Sequence, residues 1–325
     1  MLKPSYSIKL DQETISSDSP GPLLSLEVRR DKTGAADEAI VALGRVPEVN
    51  PSGGAGVSIE LGWDGDTQLV FTGIIDTVER GISHLEVCCL GQQSKLMKAR
   101  ADKVLVSQKA GQVVTTLAGD AGVETETIED GIDLPVYLVD SSMSLHEHCL
   151  RLARRCGFDL YTNEKGKLVF SRFAATVADH TFKYKGQILE ASIEKSASRD
   201  EIRMVPESPA SSSGDETVSW LIKDPAPHTV KAGGGADALL LSDPLLRTKD
   251  AADTAANAQL YFSQRNAVVG SVALMGTPEI QLGETAALKN LPDAELNQTY
   301  QVMAIRHRLD KRRGFSTSVV LGGMP

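Results

Sequence analysis

The sequence predicts a β-rich α+β fold: two related β-barrel domains with a small α/β domain between them. Three observations predict it. Short runs of alternating apolar and polar residues recur, each closed by a Gly, Asp or Asn turn cluster. A pattern of strand, polar loop, strand, turn and strand occurs twice, about 230 residues apart. Between the two occurrences the apolar period changes to that of helices. The expected boundaries are 1–98 for the first barrel, 99–172 for the α/β domain and 173–325 for the second barrel. At 325 residues the chain is long enough for more than one packed core.

In the first triplet, residues 56–61 (GVSIEL) lead into the turn cluster Gly62-Trp63-Asp64-Gly65-Asp66. Residues 69–78 (LVFTGIIDTV), a turn near Gly81 and residues 85–90 (LEVCCL) complete it. Cys88 and Cys89 are neighbours in a strand and so face opposite sides. Four cysteines in a chain of this length are too few for a disulfide scaffold, and reduced, buried thiols are expected.

The middle segment opens with a helix whose apolar face is Val113, Val114, Leu117, Ala118 and Ala121, stopped at Gly122. A second helix covers LHEHCLRLARRC at 145–156. Ser144 is its N-cap, and Glu147 at the third helical position completes an S-x-x-E capping box. At 100° per residue Leu145, Cys149, Leu152, Ala153 and Cys156 share one face, and Glu147, Arg151, Arg154 and Arg155 the other. Gly157 supplies the left-handed stop. His146 and His148 flank the apolar stripe, and two residues of separation turn them about 200° apart, so they cannot share a metal ion from one helix. The chain contains neither H-E-x-x-H nor C-x-x-C. A hairpin follows, 158–161 and 167–170 around the turn Asn163-Glu164-Lys165-Gly166.

Beyond it, the Pro/Ser-rich residues 206–216 (PESPASSSGDE) are expected to be a mobile loop. Gly233-Gly234-Gly235 is read as a hinge, because it lacks the Gly-Lys-Ser/Thr of a phosphate loop. Residues 248–266 form a helix with Ala251, Ala255, Ala258 and Phe262 on one face. The second triplet comprises 283–288 (GETAAL), the polar 290–298, 300–309 (YQVMAIRHRL), the basic turn 310–314 and 315–321 (FSTSVVL).

The chemistry-bearing residues do not assemble into a motif. There is no G-x-S-x-G elbow. The six histidines, His84, His146, His148, His180, His228 and His307, fall on strand or helix edges. His307 alternates with Met303 and Ile305 on one strand face and reads as a packed side chain. No catalytic, cofactor-binding or metal-binding residue is expected, and no cofactor. A net charge of −9 with a pI near 5.3 opposes binding of a nucleic-acid backbone. Aromatic content of 5% is poor material for a carbohydrate cleft. No apolar run reaches the ~18 residues that cross a bilayer, and the N-terminus lacks a secretory signal, so insertion into a membrane is not expected.

Several segments together resemble the phage late control D family, the hub proteins of contractile tails, related to the N-terminal part of type VI secretion spike proteins. They are residues 3–8 (KPSYSI), 23–28 (LLSLEV), 71–78 (FTGIIDTV), 150–158 (LRLARRCGF) with 166–170 (GKLVF), and the closing YQV at 300–302, IRH at 305–307, GFST at 314–317 and LGG at 321–323. The resemblance spans nearly the whole chain; 206–216 and the glycine run depart from it. It implies a non-enzymatic homotrimer whose six β domains make a pseudo-sixfold ring, seating a hexameric tail tube on one side and a trimeric spike on the other. The implied partners are the chain itself, the tail tube protein, a spike carried on a separate polypeptide, and other baseplate proteins. The implied location is the bacterial cytoplasm during synthesis, then the tube–spike junction of a virion or tail-like particle. The competing expectations are a tail-tip enzyme such as a peptidoglycan hydrolase and a monomeric carbohydrate-binding module.

Overall fold

The computed structural model describes residues 2–18, 21–32, 36–44, 49–175, 177–206 and 229–324. The loop expected at 206–216 lies, after Pro206, outside the described residues, as does His228.

The first β unit contains β1 (Pro4–Leu10), β2 (Glu13–Ser16), β3 (Leu23–Asp31), β4 (Glu38–Gly44), β5 (Gly56–Trp63), β6 (Asp66–Arg80) and β7 (His84–Gly91). Their spatial order is β2-β1-β5-β6-β7-β4-β3, antiparallel throughout. The period of two sets which face is buried: Ala39, Val41 and Leu43 of β4 are sealed inside while Glu38, Ile40 and Ala42 are half-buried on the other side. Asp64 and Gly65, both at positive φ, make the two-residue turn between β5 and β6.

The middle unit holds α1 (Gln93–Lys98), β8 (Lys103–Lys109), α2 (Ala110–Asp120), β9 (Thr125–Ile128), β10 (Asp133–Val139), α3 (Leu145–Cys156), β11 (Phe158–Thr162) and β12 (Leu168–Arg172). β8 and β10 form an antiparallel ribbon; β11, β12 and β9 form a small mixed sheet. The ends of α3 are those the sequence specifies. Ser144 Oγ accepts from Glu147 N at 3.1 Å and Gly157 stands at φ 70°, but only this half of the expected capping box is made, the Glu147 carboxylate lying 3.4 Å from Arg151 Nε.

The C-terminal part contains β13 (His180–Lys183), β14 (Ile188–Lys195), β15 (Glu201–Pro206), β16 (Val230–Gly233), β17 (Ala238–Asp243), α4 (Lys249–Asn266), β18 (Val268–Met275), β19 (Thr285–Lys289), β20 (Thr299–Asp310) and β21 (Gly314–Gly322). Its main strands lie in the order β13-β19-β20-β21-β18-β14. Taken in chain order, this is the path β1-β5-β6-β7-β4-β3 repeated strand for strand.

The repetition extends to irregular features. A positive-φ glycine precedes the first strand of each triplet, Gly54 at 84° and Gly283 at 90°. The next carbonyl, of Ala55 or Glu284, accepts from Ile75 N or Val302 N, at 2.9 Å in both cases. One residue after that acceptor pair the middle strand bulges, between Ile75 and Thr77 against β7 and between Val302 and Ala304 against β21. Bulges at matching places re-aim both strands alike.

The β-rich α+β fold with two related β units is as expected, and the two units are joined edge to edge. Among the described residues the pairing path is open in both units. Residues 304–310 of β20 pair with residues 25–31 of β3, so the two units form one 13-stranded sheet. The β3 edge that would have to close its own unit is already taken by β20.

Three apolar cores follow. One lies inside the first unit and also takes Leu309 and Phe315 from the β20–β21 hairpin. Another fills the C-terminal unit around Tyr300, Val302, Leu274 and Leu288. The third lies under α2 and α3, and it includes Ile202, Met204, Val230, Ala232 and the α4 alanines Ala251, Ala252, Ala255 and Ala256. Residues 201–266, grouped by sequence with the C-terminal domain, thus pack on the middle unit. Small side chains permit the approach: a Cβ on Gly157 would stand 3.2 Å from Ala258 Cβ. Among the described residues no helix is long and apolar enough to cross a membrane.

Candidate assembly site at the seam of the two β units

The β3–β20 seam brings the sister units and the middle unit to one place. On its inner face Ile305 lies opposite Arg30, His307 opposite Val28 and Leu309 opposite Leu26. The Phe315 ring lies tilted against Trp63, their centres 5.5 Å apart, and Trp63 Nε1–H donates to Gly276 O at 2.8 Å. His307 is buried with Nδ1 3.0 Å from Thr317 Oγ1. Burial, aided by the nearby Arg30 charge, pushes it down to about 3, so the imidazole is neutral.

Beside it lies a set of buried charges. Arg30 donates from Nη2 to Thr162 O at 2.9 Å and from Nη1 to Gln281 Oε1 at 2.6 Å, and its Nε is 3.5 Å from Asp37 Oδ2. Asp37 also accepts from Thr162 Oγ1 at 3.0 Å and Asp31 N at 3.1 Å. Lys32 Nζ is 2.5 Å from Asp159 Oδ2, and Arg265 Nη1 donates to Asp159 Oδ1 at 2.8 Å. Lys32 also sits over the rings of Tyr161 and Phe173, 5.4 and 5.3 Å from their centres. Burial lowers the Lys32 pKa despite Asp159, and burial raises that of Asp37 despite Arg30. Each ion is tolerable inside only because its partners are present. The partners come from the loop after β3, from β11, from α4 and from the segment before β19, so the set fastens four parts of the chain at once.

The outer face of the seam is wetter. Glu27 is ringed by Arg29, by Arg306 at 2.8 Å and by Arg308 at 3.1 Å, with Arg29 also 3.5 Å from Glu38. Burial alone would raise the Glu27 pKa; its hydrogen bonds and charge attraction to Arg306 and Arg29 outweigh that and hold it below the ordinary carboxylate range.

The residues singled out by sequence are placed elsewhere, apart from His307 and the basic turn. His146 and His148 are both buried, deeper than flanking positions suggest. His148 Nδ1 is 3.0 Å from Tyr137 OH and its Nε2 is 3.1 Å from Asp140 O. Cys149 and Cys156 line the α3 core with pKa values pushed up by burial to about 12 and about 11; Cys89 in β7 is likewise at about 12. His180 Nε2 pairs with Glu284 Oε2 at 2.8 Å, which raises its pKa. The 310–314 cluster is a hairpin tip, with Asp310 Oδ1 accepting from the backbone N–H groups of Arg312 and Arg313 at 2.8 and 2.7 Å. Gly233 ends β16 at φ 76°, where a Cβ would stand 2.3 Å from Asp200 O.

Sequence reasoning does not single out Arg30, Lys32, Asp37, Asp159 or Arg265. One signal exists: in LLSLEVRRD the buried alternation Leu26, Val28 continues onto Arg30, a charge where the pattern requires an apolar residue.

Solved tail proteins share this fold over nearly the whole chain. The 43 kDa tail protein of prophage MuSo2 from Shewanella oneidensis superposes with a TM-score of 0.72 at 13% identity, covering 98% of both chains. The tail protein from Neisseria meningitidis MC58 gives 0.74 at 15% identity, over 99% of this chain and 97% of that one. A component of the type VI secretion system of E. coli, itself structurally similar to T4 bacteriophage tail proteins, gives 0.57 at 10% identity over 98% and 79%. No family profile and no curated protein matches the sequence. At these identities the likeness is one of fold.

Proposed function

We propose that this chain is a structural baseplate hub of a contractile tail or related injection machine. It acts as a homotrimer whose six β units form a pseudo-sixfold ring, joining a hexameric tail tube to a separate trimeric spike. The observation that carries this reading is the repeated strand order within a chain that has the fold of tail proteins. A threefold assembly meets a sixfold partner most simply when each subunit presents two similar surfaces. The domain division at 1–98, 99–172 and 173–325 belongs to the same proposal, with 201–266 folded back against the middle unit. The chain is made in the bacterial cytoplasm and incorporated at the tube–spike junction, in contact with tube, spike and other baseplate proteins.

The role is structural rather than catalytic. The two buried carboxylates of the seam, Asp37 and Asp159, are committed to ion pairs within the fold. The test is co-expression with tail tube and spike proteins from the same source, followed by native mass measurement and electron microscopy. The expected product is a complex containing three copies of this chain, viewed end-on as a six-lobed ring. A monomer that binds neither protein would overturn the reading. A lysis band in a peptidoglycan zymogram, lost on substituting one acidic residue, would replace it with the enzymatic one.

A further inference from the structure

Among the described residues, the internal seam has two sister edges that no named strand covers. By the repeated order, β14 corresponds to β3 and β6 corresponds to β20. Among the described residues β14 pairs with β18 and otherwise makes only a single bridge, from Ile188 to Tyr184, and β6 pairs with β5 only as far as Ile74 while its pairing with β7 runs on to Arg80. One side of residues 77–80 is therefore left where β20 would be without β3. We propose that these edges meet between copies: β14 of one chain adds antiparallel to residues 77–80 of β6 in a second copy, reproducing the β3–β20 seam. The inference rests on the homotrimeric reading above and names the surface through which the trimer closes.

The sister pairs fix the register. Thr77 opposite Cys88 matches Ala304 opposite Val320, and Ser25 opposite Ala42 matches Glu190 opposite Ala273. Transferred between chains, the internal pairing sets Val78 against Lys195, Glu79 against Glu194 and Arg80 against Ile193. The segment before β5 ends in the same glycine conformation as its sister before β19, and that sister leaves the edge of β20 open to β3. Arg80 already holds that segment, through Asn50 Oδ1 at 2.9 Å and Pro51 O at 3.1 Å.

A second observation points the same way. Leu309, 8% exposed, enters the core of the first unit across the internal seam. Its sister is Ile82 at the β6–β7 tip, which is 95% exposed, the highest value among the exposed large apolar side chains described. In the seam between copies Ile82 meets Ala191 and Ile193, which already pack against the C-terminal core. An apolar side chain so placed marks an interface rather than a solvated turn.

The two seams differ in charge. Inside the chain Arg29 and Arg306 stand opposite each other but are bridged by Glu27, whereas Glu79 would face Glu194 with Ser192 in the place of Glu27, and unbridged like charges opposite each other weaken a strand pair. The seam between copies is thus the weaker one, strengthened by salt.

The test uses the full chain at high salt. Glu79→Cys with Glu194→Cys is expected to give interchain disulfides up to covalent trimer on mild oxidation, several times more than the shifted pair Thr77→Cys with Glu194→Cys. Glu79→Lys should tighten self-association about 10-fold or more, since the pair recurs at three seams, and Ile82→Asp should weaken it by a similar factor with circular dichroism unchanged. A trimer by mass that neither cross-links nor responds to Glu79→Lys overturns this inference and leaves the homotrimer standing. A monomer at every concentration, Glu79→Lys included, overturns both.

Discussion

The N-terminal and C-terminal β units share a strand order but not the means of holding it. The first strand of the path runs antiparallel in one, β1 on β5, and parallel in the other, β13 on β19. Between β3 and β4 there is a short link, while between β14 and β18 the chain inserts β15, β16, β17 and α4. The β20–β21 hairpin also extends past its sister by the turn at 310–314, carrying Leu309 and Phe315 into the neighbouring core. Arg30, 2% exposed among its partners, corresponds to Lys195, which pairs with the exposed Glu295 at 3.7 Å. The architecture is duplicated; the residues that bind its halves together are not. A repeated unit supplies similar outer surfaces, and divergence at one seam supplies a single, unambiguous joint.

Substitutions at the joint break that comparison most. Asp159→Asn leaves Lys32 and Arg265 buried and facing each other, and should cost about 4 kcal/mol in urea unfolding. Phe315→Ala should cost about 3 kcal/mol. It should also red-shift Trp63 emission, although Trp63 belongs to the other unit. His307 gives a pH signature. Its folded pKa, about 3, lies far below the unfolded value near 6.5, so between these limits the unfolded chain binds a proton that the folded chain refuses. The contribution is fully present above pH 6.5 and declines as pH falls toward 3, with a slope approaching about 1.4 kcal/mol per pH unit. His307→Gln should flatten that limb of the stability curve.

Two smaller effects sharpen the contrast. Glu27→Gln should cost about 1 kcal/mol, less at high salt because the outer face is screened. The lowered pKa of Glu27 means that its contribution is present above the unfolded carboxylate range and is lost as pH falls through the folded value. Ser144→Ala removes the α3 cap for roughly 1 kcal/mol or less and should leave Trp63 emission unchanged. An equal emission change from Ser144→Ala and Phe315→Ala would show that middle unit and seam do not separate as described.

What could be read from sequence was local. The two triplets are legible because alternation and turn residues act over a few neighbours, and α3 is legible because Ser144, Glu147 and Gly157 specify its ends. The β3–β20 pairing joins residues more than 270 apart, and no periodicity encodes which edge meets which. The allegiance of α4 is hidden for a related reason. A face of alanines suits any close neighbour, so Ala251, Ala255 and Ala258 do not reveal that the neighbours are β15, β16 and α3. Of the assembly site, only Arg30 breaks a pattern visibly. Asp159 lies in FDLY, where both strand faces are buried and alternation gives no warning.

The burial of the native thiols has a practical consequence. Cys89, Cys149 and Cys156 are sealed in cores and protonated far above neutral pH, and even half-buried Cys88 has its pKa raised by burial and by Glu38. Alkylating reagents attack the thiolate, so any cysteine introduced on the surface becomes the fastest-reacting sulfur in the chain. A fluorophore or spin label can therefore be directed to one chosen position without first removing the natural cysteines.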